Sequence, residues 1–162
     1  MAFKHYTLFS LVFLAAASIS ISGAQARGVN LCAKADYPAL CLLLVKGETD
    51  PTRATESVIY RLIRQTKKAK KHLSRFGTSQ SQVIQVCQES YDDAIYDLHT
   101  CLDNLKSHDK AGFNSNLSAA LTDYVTCDDA FGELGETSPV QNVNRKLRRM
   151  AGTGLYLETM VH

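Results

Sequence analysis

IQVCQESYDDAIYDLHTCLDNL (residues 84–105) decides the fold. Ile84, Cys87, Tyr91, Ala94, Leu98, Cys101 and Leu105 recur in steps that alternate between three and four. That spacing keeps one stripe on one side of an α-helix and suits a seam between packed helices. The positions between carry acids, amides and hydroxyls, the composition of a solvated face.

The same period extends in both directions. Upstream, Ala54, Val58, Leu62, Ala69, Leu73 and Phe76 form a stripe after Asp50-Pro51, an Asx cap followed by proline in the first turn, with Gly77 as the stop. The central segment opens at Ser79, with Gln82 three residues on in a capping-box pattern. Downstream of a polar turn, Ser107 to Gly112, the stripe is Leu117, Ala120, Tyr124, Cys127, Phe131 and Leu134. A last segment opens on a serine cap, Ser138-Pro139-Val140-Gln141, and carries Val143, Leu147 and Met150, then more weakly Leu157 and Val161. Gly152 and Gly154 weaken it by about 1 kcal/mol each relative to alanine and read as a helix irregularity. Short turns make consecutive helices antiparallel. The expected fold class is all-α, an antiparallel up-down-up-down four-helix bundle over residues 50–162. Residues 27–49, with Cys32 and Cys41 around Tyr37-Pro38, read as a helical hairpin closed by its own disulfide. No composition shift divides residues 27–162, which are expected to form a single domain.

The N-terminus has another signature. Lys4 and His5 precede an apolar run from Leu8 to Ala17, and Ala24-Gln25-Ala26 is a small-residue cleavage pattern. Residues 1–26 are expected to be a secretory signal peptide. No later segment is apolar enough to span a bilayer, so the mature form is expected to be extracellular with no membrane contact. Its near-neutral charge gives no global basic excess for nucleic acid.

All five cysteines follow the signal, and an oxidising compartment then suggests two disulfides and one leftover thiol. Cys87 lies twenty residues before Ser107 and Cys127 twenty after it. Residues equally far from an antiparallel turn face each other, so these two are expected to pair. Cys101 has no cysteine opposite and reads as a buried free thiol acting as a small apolar residue. A reactive thiol or an intermolecular bridge is the alternative.

No catalytic constellation emerges. His72, His99, His108 and His162 form no His-Glu-x-x-His pair, and no Gly-x-Ser-x-Gly elbow is present. Gly152-Thr153-Gly154 lacks the third glycine of a dinucleotide loop. His99 and Cys101, two apart on a helix, point to different faces. A binding protein without cofactor or metal is expected, not an enzyme. Charge is polarised along the chain. The first long segment is basic (Arg53, Arg61, Arg64, Lys67, Lys68, Lys70, Lys71 and Arg75 against Glu56), and the middle two are acidic, from Glu89 to Glu133. The plain alternative is solvated faces that partly oppose each other within the molecule. Such polarity also steers charged partners, and the basic helix suits an acidic polysaccharide such as pectate. Asn116-Leu117-Ser118 is an N-glycosylation sequon.

Four features together resemble the plant family of invertase and pectin methylesterase inhibitors. They are Cys32 and Cys41 with eight residues between them, the run Cys87-Gln88-Glu89-Ser90-Tyr91-Asp92-Asp93-Ala94, the run Leu117 to Thr122, and Thr126-Cys127-Asp128-Asp129-Ala130-Phe131. The resemblance implies a four-helix bundle with an N-terminal hairpin, the disulfides Cys32–Cys41 and Cys87–Cys127, and no enzymatic activity. It implies a one-to-one complex that blocks the substrate cleft of pectin methylesterase or of acid invertase. Invertase inhibitors of this type are associated with a Pro-Lys-Phe motif. Here Asp109-Lys110-Ala111-Gly112-Phe113 lacks the proline, which favours pectin methylesterase. By position, Glu89, Asp93, Thr126 and Asp129 match the family's contact surface, whereas Tyr96 stands where an acid is expected. The segment from Cys41 to Cys87 is shorter than the family pattern, implying a truncated first long helix. The expectation is a secreted, apoplastic plant inhibitor of pectin methylesterase that regulates cell-wall pectin de-esterification. The alternatives are an inhibitor of cell-wall or vacuolar acid invertase, and a divergent non-inhibitory cell-wall binding protein.

Overall fold

The structure, a computed structural model, describes residues 30–76 and 82–162; the expected signal peptide, Gly77 and the Ser79 cap lie outside them. Five helices follow in order: α1 Pro38–Val45, α2 Pro51–Leu73, α3 Gln82–Lys106, α4 Lys110–Gly132 and α5 Gln141–Glu158. The helices α2 to α5 pack as a closed ring in which α2 and α4 each touch both α3 and α5, and α1 lies against α2 and α5.

Local chemistry explains the helix starts. Asp50 Oδ1 accepts the Arg53 N–H at 2.8 Å, and Pro51 follows where its missing N–H costs nothing. Asp109 Oδ1 likewise accepts the Gly112 N–H at 2.9 Å. The turn between α3 and α4 is therefore shorter than expected, and Gly112 belongs to the first turn of α4. A Cβ at Gly112 would lie 2.3 Å from Asp109 Oδ2 and 2.5 Å from Asn104 Nδ2, so glycine lets the cap close. At α5 the order is reversed. Ser138 Oγ accepts the Val140 N–H at 3.3 Å and closes a turn, and the helix begins at Gln141 without a side-chain cap.

The central stripe is buried at every position from Ile84 to Leu105. Two expected core residues are not: Phe76 is 53% exposed and Leu134 62%. The helices carrying those stripes end at Leu73 and Gly132, before the pattern does. The first long helix, α2, has 23 residues, as many as α4. In the N-terminal arm, a turn at residues 31–34 is joined to α1 by Cys32–Cys41, with Cα atoms 5.6 Å apart. Its first limb is thus a turn, not a helix. Gly154 is a packing notch in a continuous α5, not an irregularity. A Cβ there would lie 3.0 Å from Leu117 Cδ2 and 3.6 Å from Ile59 Cδ1, where α5 approaches α4 and α2.

Polar side-chain links cross this core. Tyr91 Oη donates to Asn144 Oδ1 at 2.6 Å, and Asn144 Nδ2 donates to Asp128 Oδ1 at 2.8 Å, tying α3, α5 and α4 together. Tyr124 Oη lies 2.7 Å from Thr66 Oγ1, which itself donates to the Leu62 carbonyl, so the phenol is the donor between α4 and α2. Buried polar atoms satisfied across helices fix the relative register of the helices.

Candidate partner-binding face

The helices α3 and α4 form the most closely packed pair in the bundle. The turn Ser107 to Asp109 joins them at one end. The buried disulfide Cys87–Cys127 joins them near the other, with Cα atoms 4.4 Å apart. A helix pair tied at both ends makes a stiff platform.

On the outer side of α3, Glu89 and Asp93 are exposed one turn apart, and Tyr96 follows at 73% exposure. On α4, exposed Thr126 and Asp129 flank Cys127. Thr126 Oγ1 donates to the Thr122 carbonyl at 3.2 Å, which fixes the hydroxyl and leaves its lone pairs outward. Among the described residues the carboxylates of Glu89 and Asp129 have no hydrogen bond or ion pair. Asp128 does not belong to the face, because Asn144 holds it. Asp92 is engaged too, by Lys70 of α2, so part of the charge opposition is internal.

Asp93 belongs to a cluster that residue-by-residue inspection of the sequence did not bring together. Burial, then the charges of Asp97 and Asp93, push the Asp123 carboxyl up to about 6. Its Oδ2 is buried with no hydrogen-bond partner. Asp97 is raised by burial and then by Asp93. Asp93 and Asp97 were readable as one stripe of α3, four residues apart; Asp123 reaches them from α4.

The face can accept hydrogen bonds and attract cations. Cys101 is fully buried, its thiol donates to the Phe113 carbonyl at 3.7 Å, and burial followed by the Asp97 charge pushes it up to about 12. His99 is exposed on another side of the helix. His108 and His162 line a cavity of about 380 Å³ at the turn end with Lys110 and Glu158. Among the described residues no group of histidine, cysteine, aspartate and glutamate side chains is placed to hold a metal ion, and no helix is long and apolar enough to cross a membrane. Asn116 is half-buried within α4, and its amide donates to Asn104 Oδ1 at 3.0 Å and to the Gly112 carbonyl at 2.8 Å.

The opposite side, α2 with α5, is basic. Beyond the α2 cations, α5 contributes Arg145, Lys146, Arg148 and Arg149, which the sequence reading did not connect to them.

The sequence profile of the family described as "Plant invertase/pectin methylesterase inhibitor" matches residues 29–157. "Pectinesterase inhibitor 12" of Arabidopsis thaliana is 48% identical over 61 residues, covering 38% of this chain and 35% of that protein. A Platanus orientalis protein named "Putative invertase inhibitor" is 30% identical over 89 residues, 54% of this chain and 52% of that protein. The match thus spans about a third to a half of the length of these curated relatives. A crystal structure of a pectin methylesterase inhibitor from Arabidopsis thaliana superposes with a TM-score of 0.65 at 23% identity, covering 86% of this chain and 98% of that one. A mutant form of such an inhibitor from Arabidopsis gives 0.69 at 22% identity, covering 82% and 95%. At these identities the likeness is one of fold.

Proposed function

We propose a function from one premise: the chain belongs to the plant invertase/pectin methylesterase inhibitor family. It acts as a secreted, non-enzymatic inhibitor of pectin methylesterase in the cell wall. The outer face of α3 and α4 enters the enzyme's substrate cleft in a one-to-one complex and restrains pectin de-esterification.

The observation that carries this is the pair of unpartnered acids, Glu89 and Asp129, held beside Thr126 on a helix pair tied at both ends. Such a face loses little conformational freedom on binding. Its carboxylates suit arginine, lysine or backbone N–H groups of a partner. The relative named as a pectinesterase inhibitor, and the missing proline before Lys110, support this target. A second reading, inhibition of acid invertase, is favoured by the Platanus relatives named as invertase inhibitors.

Purified protein assayed against plant pectin methylesterase and acid invertase at mildly acidic pH decides between them. Inhibition of invertase alone replaces the first reading by the second. Inhibition of neither points to a divergent, non-inhibitory wall-binding protein. Thr126→Ala with Asp129→Ala is expected to weaken inhibition about tenfold or more with an unchanged melting temperature. Undiminished inhibition by that variant would place the contact surface elsewhere.

A further inference from the structure

We propose that the cleft between α1, α2 and α5, on the side of the bundle away from the α3–α4 face, binds a linear acidic polysaccharide that carries carboxylates. This stands independently of which enzyme, if any, the α3–α4 face inhibits.

The cleft has a volume of about 530 Å³. Four cations line it: Lys46 at the end of α1, Arg61 and Arg64 of α2, and Lys146 of α5. Among the described residues no carboxylate lines it, and its floor is apolar, with Leu40, Leu44 and Met150. Among the described residues none of the four cationic side chains has a hydrogen bond or ion pair. Arg61 Nη2 is buried with no acceptor at all. A buried guanidinium N–H without a partner is costly, and one carboxylate oxygen would satisfy it. The planar fork of arginine also matches a carboxylate in two-point contact.

The shape argues for a chain. A neighbouring cavity of about 390 Å³ shares Lys46, Arg61 and Arg64 and continues along α2 to Tyr60 and Arg53. Glu48 lies there too, already paired with Arg53 at 3.3 Å, as does Glu56. A continuous trough with repeated cations suits repeated anionic charges. The C–H faces of sugar rings fit an aliphatic floor. Single-stranded nucleic acid calls for aromatic side chains to stack on beside a basic groove, and among the described residues Tyr60 is the one aromatic residue lining either cavity. A membrane surface calls for protruding cations, whereas these converge in a concavity. The other cations of α2 and α5 add a long-range attraction for polyanions.

The test is titration of the full protein with polygalacturonate, beside neutral dextran, single-stranded DNA and phosphatidylglycerol vesicles, at low and raised salt. Expected are binding to polygalacturonate that weakens steeply with salt, no binding to dextran, and weaker binding to DNA and vesicles. Arg61→Ala should lower affinity about tenfold, and Arg61→Lys, which keeps the charge without the fork, by less. The pair Arg64→Ala and Lys146→Ala, both exposed, repeats the test without disturbing a buried site. Arg75→Ala, an exposed cation outside the trough, should change affinity by no more than about twofold. No polygalacturonate binding, an Arg75→Ala loss equal to that of the trough variants, or DNA or vesicle binding as tight as polygalacturonate would each overturn the proposal.

Discussion

The Cα atoms of Cys87 and Cys127 lie 4.4 Å apart at the end of the α3–α4 pair remote from the connecting turn. A bridge across a sequence separation of 40 removes much of the freedom of the unfolded chain, worth roughly 4 kcal/mol in the chain-entropy model. Replacing both cysteines by alanine is expected to lower stability by about that amount. In a chain of this size that is a fall in melting temperature of about 10 °C. Thermal unfolding by circular dichroism measures it. A shift of about a degree would show that packing alone holds the platform.

Asp123 makes stability depend on pH. Its carboxyl titrates near 6 in the folded protein, above the ordinary value near 4, so between those values the folded chain keeps a proton that the unfolded chain has released. Stability contributed by this group therefore falls as pH rises from about 4 to about 6, and the penalty is complete above that. The contribution of Asp123 to stability is therefore more favourable at about pH 4.5 than at about pH 7. Asp123→Asn removes the repulsion from Asp97 and Asp93. It should raise the melting temperature at neutral pH and change it little at acid pH. A loss at neutral pH would mean that the ionised carboxylate has a partner after all.

The bundle was readable from the stripe Ile84 to Leu105 because every position on it answers to one period within one helix. Phe76 and Leu134 fit the apolar period yet lie outside the core, because the pattern runs on after the backbone has left the helix and periodicity carries no stop signal. Residue type alone suggests a turn at Gly112 and a helix cap at Ser138; which N–H group the nearby side chain reaches places Gly112 in the first turn of α4 and Ser138 in a turn before α5. The candidate face, Glu89, Asp93, Thr126 and Asp129, rests on the family resemblance, and the helix period then puts these residues on the solvent side of α3 and α4. What was not legible lies between helices. Asp128 looks like Asp129 in sequence, yet Asn144 holds it from another helix. Asp123 meets Asp93 and Asp97 only after α4 has folded back. The cations of α5 join those of α2 only because the ring closes.

Gly152 and Gly154 are both inside α5, and their environments predict opposite outcomes. A Cβ at Gly152 would meet nothing within 4 Å. Gly152→Ala should therefore gain the helix propensity of alanine, about 1 kcal/mol. At Gly154 the new methyl would press on Leu117 Cδ2 at 3.0 Å, with Val58 and Ile59 behind it at 3.6 Å, and all three are fully buried. Overpacking costs of about 1–3 kcal/mol offset or exceed the gain. Urea unfolding of both variants tests the contrast. Equal stabilisation by the two would show that α5 can move away from α4 at no cost.

Tyr96 is the most exposed large hydrophobic residue among those described, at 73%, and it lies one turn beyond Asp93 on the candidate face. Its ring makes no packing contribution that the fold needs, so Tyr96→Ala should change stability by less than about 0.5 kcal/mol. An exposed tyrosine on a rigid helix offers a large contact area with few torsions to freeze, which is why tyrosine is enriched among residues that dominate interfaces. If the α3–α4 face is the inhibitory surface, Tyr96→Ala should weaken inhibition by about tenfold or more, with the whole effect in complex formation. Tyr96→Asp places at this position the acid that the family resemblance leads one to expect. It should weaken inhibition as much as alanine if the ring itself is the anchor. Inhibition restored by Asp but not by Ala would assign the position to charge instead. Unchanged inhibition by both variants would remove Tyr96 from the interface.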